Sequence, residues 1–163
     1  MPNGSVQETL HLEDKSVPNT VYISDVIDAP IERVWGVVRD FNGMPSYHPA
    51  IKKSFIEGNC SSDQVGCVRH LTLGDGFVRE RLLCLDDRNC IFIYEIIEGS
   101  LPVRGYVAGV RLHRVTEGNR TFAEWWADFE VVGANRDAMI AEIGNSVFAL
   151  GFKSVASKLS STR

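Results

Sequence analysis

The chain has 163 residues and a formal charge of −4 at pH 7, with 17 basic against 21 acidic side chains. This length fits one compact domain, and the acidic balance argues against a general nucleic-acid binder, which needs a basic face. No apolar run reaches the about 18–20 residues that span a membrane, and the first residues lack the apolar core of a signal peptide. We therefore expect a cytoplasmic protein without a membrane span.

The spacing of cysteine and histidine gives no sign of a metal site. Cys60, Cys67, Cys84 and Cys90 include no C-x-x-C pair, and no histidine has a second one four residues away. We expect no metal and no cofactor, and we interpret the cysteines as reduced residues that fill the core and the strands. His48, in a predicted loop, is expected to face solvent.

The N-terminal part predicts an arm, a strand and short helices. Residues 1–18 are polar and lack apolar periodicity, so we expect a flexible N-terminal arm, followed by a single domain over 19–163. Residues 20–27 are rich in β-branched and aromatic side chains, which is typical of a strand. Apolar side chains then recur at helical spacing from Ile31, and Pro45 interrupts any longer helix. Two short helices are therefore expected after the first strand.

From residue 51 onward, strand-like segments alternate with turn signals. Six strands are predicted, over 51–57, 66–73, 77–85, 90–97, 103–115 and 120–131. Their short connections are typical of an antiparallel meander. Residues 135–160 lack proline and carry apolar side chains near one face, which predicts a long amphipathic helix capped by Asn135. The expected fold class is α+β, a seven-stranded curved antiparallel sheet that grips a long C-terminal helix.

The hairpin around Gly74 and Asp75 allows its register to be predicted. A two-residue turn there pairs Leu73 with Gly76, Leu71 with Val78, and Arg69 with Glu80. One face is then apolar apart from a single ion pair, and it carries Arg69, Leu71, Leu73, Val78, Glu80, Leu82 and Cys84. The opposite face is polar and suits water. Arg69 and Glu80 should thus lie opposite each other on the buried side.

This pair leaves two interpretations open. One is a structural salt bridge across the strands at the rim of the core, since paired burial is common. The other is a polar anchor in an apolar cavity, where Glu80 moves protons and Arg69 modulates it or holds a substrate oxygen. Other inward-facing side chains fit either a cavity wall or plain core, and they are Tyr94, Tyr106, Trp125, Phe129, Phe148 and Phe152.

Several segments resemble the START-like helix-grip superfamily, also called SRPBCC. The matching stretches are DAPIERVWGVVRDFNGMPSYHPAIKKSFIEG, QVGCVRHL, RERLLCLDD and GYVAGVRLHRV. They cover about residues 20–131, and the helix over 135–160 fits the closing helix of that superfamily. Two plant-type groups, the abscisic acid receptors and the lachrymatory factor synthases, are most similar in local sequence, and the polyketide cyclase/dehydrase-like proteins share the same general pattern.

The resemblance implies roles for particular residues. Similarity to the abscisic acid receptors implies that Lys52 anchors a ligand carboxylate and that Glu80 lines the pocket. Similarity to the lachrymatory factor synthases implies that Arg69 and Glu80 take part in proton transfer. The receptors carry a longer gate loop with a Ser-Gly-Leu-Pro motif, where this chain has the tight turn Leu-Gly-Asp-Gly at 73–76.

Three functions remain open from the sequence. The first is binding of a small, mostly apolar molecule with a carboxylate, carbonyl or hydroxyl group, lined by Lys52, Arg69, Leu71, Glu80, Tyr94, Tyr106, Trp125, Phe129, Phe148 and Phe152. The second is cofactor-independent cyclisation, dehydration or isomerisation, with Glu80 as acid or base and Arg69 as stabiliser. The third is an interaction module with a collapsed pocket. The expected partner is a small hydrophobic or amphipathic molecule, and the expected state is a monomer or weak homodimer.

Overall fold

The computed structural model describes residues 19–162, so the arm expected over 1–18 lies outside the described part of the chain. Seven antiparallel strands form one sheet in the order β1-β7-β6-β5-β4-β3-β2. The strands are β1 (Val21–Ile27), β2 (Ile51–Ile56), β3 (Val68–Leu73), β4 (Gly76–Asp86), β5 (Ile91–Gly99), β6 (Val103–Val115) and β7 (Arg120–Val131). Strands β2 to β7 form the expected meander, and β1 completes the sheet by pairing with β7.

The helices follow the predicted order. Helix α1 (Ile31–Val38) and a 3₁₀ turn (Met44–Ser46) come between β1 and β2. The C-terminal helix is a continuous run of α2 (Arg136–Glu142), a π-helical segment (Ile143–Ala149) and α3 (Leu150–Ser160). No helix between residues 19 and 162 is long and apolar enough to cross a membrane. The residue types of the π segment do not predict it, and such segments occur frequently at functional sites.

The C-terminal helix packs on the inner face of the sheet through aromatic contacts. The Trp125 ring stacks on Phe148 at 4.6 Å and lies 5.8 Å from Phe152. Gly151 permits this approach, because a Cβ atom there would meet Trp125 Cζ3 at 2.8 Å and His48 Cδ2 at 3.2 Å. The small residue therefore sets how closely the helix and the sheet can pack.

The predicted register of the β3–β4 hairpin is confirmed, but the prediction put one residue, Cys84, on the wrong face. The observed partners are Leu73 with Gly76, Leu71 with Val78, and Arg69 with Glu80. Farther along β4 the pairing with β5 shifts between Leu82 and Cys84. This bulge turns Cys84 away from the core, and Leu85 takes the inward place that strict alternation gave to Cys84.

The expectation that His48 faces solvent is wrong, because the residue is only 1% exposed. Its Nδ1 accepts a hydrogen bond from the Ala50 backbone N–H at 3.2 Å, so the ring proton lies on Nε2. Nε2 then donates to the Val147 carbonyl at 2.8 Å. Desolvation lowers the pKa of His48. His48 thus joins the loop before β2 to the π segment, across 99 residues of sequence.

The four cysteines are free thiols, but they do not all fill the core. Cys67 is buried, Cys84 and Cys90 are partly buried, and Cys60 is exposed in the connection between β2 and β3. In the described part of the chain, no three His, Cys, Asp or Glu side chains group closely enough to hold a metal ion.

Candidate functional site

Arg69 and Glu80 form the polar centre of the inner sheet face. They are direct cross-strand partners on β3 and β4, and Arg69 Nε donates to Glu80 Oε2 at 2.6 Å. Their side chains are 4% and 7% exposed, so the ion pair is withdrawn from bulk water. The two-residue turn at Gly74 and Asp75 fixes this pairing, because it sets the register of the whole hairpin.

Arg69 is held by a second contact that sequence reasoning did not identify. Its NH1 donates to the Phe41 carbonyl oxygen at 2.5 Å, and the guanidinium carbon lies 3.9 Å from the centre of the Phe41 ring. The Tyr94 ring is 5.2 Å away on another side. Cations attract aromatic faces at these distances, so Arg69 links β3 to the loop after α1.

Buried tyrosines adjoin this pair. Burial raises the pKa of Tyr94, and burial together with Tyr94 and the Glu80 carboxylate raises the pKa of Tyr106 well above its usual range. Burial also raises the pKa of Tyr47 to about 12. All three hydroxyls therefore keep their protons at neutral pH. The Tyr94 oxygen accepts a hydrogen bond from Trp125 Nε1 at 3.0 Å, which leaves its O–H free to donate elsewhere.

These groups border a small internal cavity of about 40 Å³. Its polar wall consists of Arg69, Glu80, Tyr94 and Tyr106. Its apolar wall consists of Met44, Ile51, Leu71, Leu73, Val78, Ile96, Leu101, Ile143 and Val147. Because one water needs about 10–15 Å³ of such space, this cavity has room for only a few waters. Pockets for drug-sized ligands are larger, at about 300–1,000 Å³.

An open depression of about 370 Å³ lies next to this cavity, and we call it the vestibule. The vestibule and the cavity share five lining residues, Ile51, Leu73, Leu101, Ile143 and Val147. We call these five side chains the apolar partition. They come from β2, β3, the β5–β6 connection and the π segment, so the partition is assembled from four separate parts of the chain.

The structure brings together half of the residues expected to contact a ligand. Arg69, Leu71, Glu80, Tyr94 and Tyr106 line the cavity. The other aromatic candidates lie outside that lining: Phe129 stacks on Tyr106 at 5.3 Å, and Trp125 packs with Phe148 and Phe152. Phe129 and Trp125 thus contact two tyrosines of the cavity wall, Tyr106 and Tyr94.

Lys52 does not lie with the cavity residues. The pairing of β2 with β3 shifts between Ile51 and Lys53, so Lys52 occupies an irregular position on an edge strand. Its side chain is exposed, and Nζ donates to the Gly74 carbonyl at 3.2 Å. Its neighbour Ile51 is buried and lines the cavity, so strand alternation already directs Lys52 to the opposite face, where it contacts the β3–β4 turn.

Met44 and Leu101 complete the cavity wall, although sequence reasoning did not find them. Both lie in connecting segments, the 3₁₀ turn and the β5–β6 turn, where no strand or helix periodicity indicates an inward side chain. Ile143 and Val147 belong to the apolar face of the C-terminal helix, so periodicity does give a signal for these two residues.

Comparison with known proteins identifies the family. The sequence profile of the family described as polyketide cyclase/dehydrase and lipid transport matches residues 19–160, and the chain belongs to this family. The Arabidopsis thaliana abscisic acid receptor PYL10 is 31% identical over 99 residues, covering 58% of this chain and 53% of the receptor. The receptor PYL1 from the same plant is 38% identical over 96 residues, covering 54% and 41%. The chain thus spans about half the length of the curated relatives it matches.

Solved structures show the same architecture over nearly the whole described chain. The protein XoxI from Bacillus cereus has a TM-score of 0.75 at 25% identity, covering 85% of this chain and 93% of that protein. A protein from Nitrosospira multiformis has a TM-score of 0.74 at 30% identity, covering 88% and 99%. The fold is therefore the helix-grip fold that the sequence predicted.

Proposed function

We propose that this protein binds a small, mostly apolar molecule, whose oxygen-bearing polar group lies against Arg69 and Glu80. The observation that carries the proposal is an ion pair, buried to 4% and 7% exposure, in the wall of an otherwise apolar cavity. Burying such a pair has a desolvation cost that apolar side chains would avoid. A ligand pocket is one place where a few convergent polar groups among apolar walls are useful, because they fix orientation.

Binding requires the apolar partition to move. The closed cavity of about 40 Å³ is too small for such a molecule, whereas the vestibule adds about 370 Å³. Displacing Leu101 and Val147 would join the two spaces, because both side chains border each of them. The polar end of the ligand would then reach Arg69, and its apolar part would lie where the partition and the vestibule are now.

The comparisons support this proposal. The family description includes polyketide cyclisation and lipid transport, and the curated relatives are named as receptors for abscisic acid, a small molecule. The support is for the class of function, and we propose the cavity residues above as its site in this chain.

Blocking the cavity tests the proposal. Leu71 is 2% exposed and lines the cavity, so Leu71→Phe would fill it, while Leu83→Phe on the same hairpin adds equal bulk at a side chain that is 39% exposed. We expect a screen of eight-carbon alcohols, ketones and acids to raise the melting temperature of the wild type and of Leu83→Phe, because a bound ligand stabilises the folded state. Leu71→Phe should lose the response.

Val147→Phe, which fills the partition from the helix side, gives a second blocked variant if Leu71→Phe does not fold. A screen in which no compound raises the melting temperature of the wild type would overturn the proposal and support the interaction module with a collapsed pocket. An unchanged response in both blocked variants would also overturn it.

A second candidate function uses the same cavity for cofactor-independent cyclisation, dehydration or isomerisation. The observation in its favour is that the Glu80 carboxylate borders the cavity beside two tyrosines that keep their protons. Glu80 would transfer the proton, and Arg69 would stabilise developing negative charge. The proton transfer by Glu80 would accelerate the reaction by roughly 10²–10⁴-fold. Mass spectrometry of the protein mixed with extract from its source should show a product that grows with time and is absent with Glu80→Gln. Retention of a compound at unchanged mass would indicate binding alone.

A further inference from the structure

We propose that the cavity selects uncharged ligands that present a carbonyl oxygen and rejects ionised carboxylates. This inference rests on the proposed function, and it narrows the polar group that the function left open. Two observations support it. The charges of the cavity wall are already balanced, and some hydrogen-bond donors in the wall have no partner.

The charge of the cavity wall is already balanced. Arg69 is the one cationic side chain among the lining residues, and Glu80 contacts it at 2.6 Å. Lys52, the other cation expected to contact a ligand, is exposed and donates to the Gly74 carbonyl. A ligand carboxylate that reached Arg69 would therefore lie beside the Glu80 carboxylate without a second positive charge. Like charges in a water-poor site repel strongly, because little solvent screens them.

The unused groups of the wall are mainly donors. Arg69 uses Nε for Glu80 and NH1 for Phe41, and among residues 19–162 its remaining nitrogen, NH2, has no acceptor. The Tyr94 oxygen already accepts from Trp125, so its O–H can donate into the cavity that it lines. The Tyr106 hydroxyl is already engaged in a hydrogen bond with the Tyr94 hydroxyl, so the unused donors are Arg69 NH2 and the Tyr94 O–H. A carbonyl oxygen has two lone pairs and adds no charge, so it matches this set of donors.

Glu80 also explains why the discrimination should be strong. It accepts from Arg69 through Oε2, and no donor within residues 19–162 bonds to Oε1. An ionised ligand carboxylate brings a second negative charge toward this oxygen, with no donor between the two groups. An uncharged carbonyl is also an acceptor, but it carries no net charge and can approach the arginine and tyrosine donors without that charge repulsion.

Two probes of equal chain length, octan-2-one and octanoate, test the inference by isothermal titration calorimetry at neutral pH. The wild type should bind octan-2-one at least about tenfold more tightly than octanoate. Glu80→Gln removes the negative charge and keeps the side-chain shape, which leaves the Arg69 charge unbalanced. The variant should therefore bind octanoate more tightly than octan-2-one, a reversal of the preference.

Glu57→Gln is the matched control, because Glu57 pairs with an arginine on the outer face of the same hairpin. It should keep the wild-type preference. If Glu80→Gln does not fold, a pH series on the wild type tests the inference instead. As the pH falls and the carboxyl group of the probe becomes protonated, the affinity for octanoic acid should rise, whereas the affinity for octan-2-one should stay level.

The outcomes separate the inference from the proposed function. Equal affinity of the wild type for the two probes, or tighter binding of octanoate, would overturn the inference and leave the proposed function standing. The same holds if Glu80→Gln folds and keeps the wild-type preference. Absence of binding of both probes to the wild type and to Glu80→Gln, up to the solubility of the probes, would overturn both.

Discussion

Two arginine–glutamate pairs lie on opposite faces of the β3–β4 hairpin, the inner one within the hairpin and the outer one joining Arg79 to Glu57, which follows β2. On the inner face, Arg69 Nε lies 2.6 Å from Glu80, and on the outer face, Arg79 Nε lies 2.6 Å from Glu57. The inner side chains are 4% and 7% exposed, and the outer ones 31% and 29%. The distance between the charges therefore does not distinguish the pairs, whereas their access to water does.

An arginine–glutamate pair has different effects on stability on the two faces of the hairpin. Arg79 also contacts Glu98, and hydrogen bonds to Glu57 and Glu98 raise its pKa while water still reaches all three groups. Such exposed pairs contribute little to stability because solvent screens them. Arg69 and Glu80 have little water to replace a lost partner, so each depends on the other or on a ligand.

The largest expected effect comes from removing one member of the inner pair. Arg69→Met should lower the free energy of unfolding by about 3–5 kcal/mol, because it leaves the Glu80 charge buried without its partner. Urea denaturation at neutral pH measures the loss. Arg79→Met, the matched change on the outer face, should have only a small effect.

The double variant Arg69→Met, Glu80→Met sharpens this comparison. It should recover most of the stability lost in the single variant, since apolar groups of similar volume often replace a buried ion pair without loss. Equal losses for Arg69→Met and Arg79→Met would show that burial does not separate the two pairs.

A smaller effect is expected where the C-terminal helix approaches the inner face. Gly151→Ala places a Cβ atom 2.8 Å from Trp125 Cζ3, and such overpacking should lower the free energy of unfolding by about 1–3 kcal/mol. Gly36→Ala on the exposed face of α1 meets nothing within 4 Å. This control should raise stability by about 0.5–1 kcal/mol, because alanine favours helix over glycine. Chemical denaturation of both variants measures these changes. A change in the free energy of unfolding of the same sign in both variants would contradict the prediction.

The smallest expected effect is a pH dependence that originates at His48. Desolvation lowers its pKa in the folded state below the unfolded value of about 6.5, so the unfolded chain binds the proton more readily. The free energy of unfolding should therefore fall as the pH drops below about 6.5, and this contribution should level off below the folded-state pKa.

Stability measured between about pH 7.5 and 5 should fall less steeply for His48→Gln than for the wild type, because the variant lacks this titration. His113→Gln removes a histidine whose side chain is 52% exposed, and it should keep the slope of the wild type. If the stability of His48→Gln fell with pH as steeply as that of the wild type, the pH dependence would not originate at His48.

The sequence predicts the inner pair because local chemistry decides it. The two-residue turn at Gly74 and Asp75 fixes the register, and strand alternation then places Arg69 and Glu80 on one face. Alternation fails at Cys84, because a bulge shifts the pairing and the residue types give no sign of it. Lys52 is expected at the site only from the resemblance to the abscisic acid receptors, and the structure places it on the exposed face.

The closure of the site depends on contacts that local sequence does not encode. His48 is buried by Val147, 99 residues away, and a loop histidine without that partner would face solvent. Met44 and Leu101 lie in connections without periodicity, so their place in the cavity wall follows only from the assembled fold. The sequence therefore predicts the sheet and its polar centre more fully than the partition that closes the cavity.

The order of the sheet has a consequence for biosynthesis. Strand β1 pairs with β7, with Val21 opposite Ala127, although β1 leaves the ribosome before every other strand of the sheet. At about 5–20 residues per second, β1 waits roughly 5–20 s for its partner strand to be made. During this interval the apolar side chains Val21 and Ile27, which are buried in the finished sheet, lack their final neighbours. The first strand of the domain is thus exposed to misassociation and to chaperones until the last strand arrives.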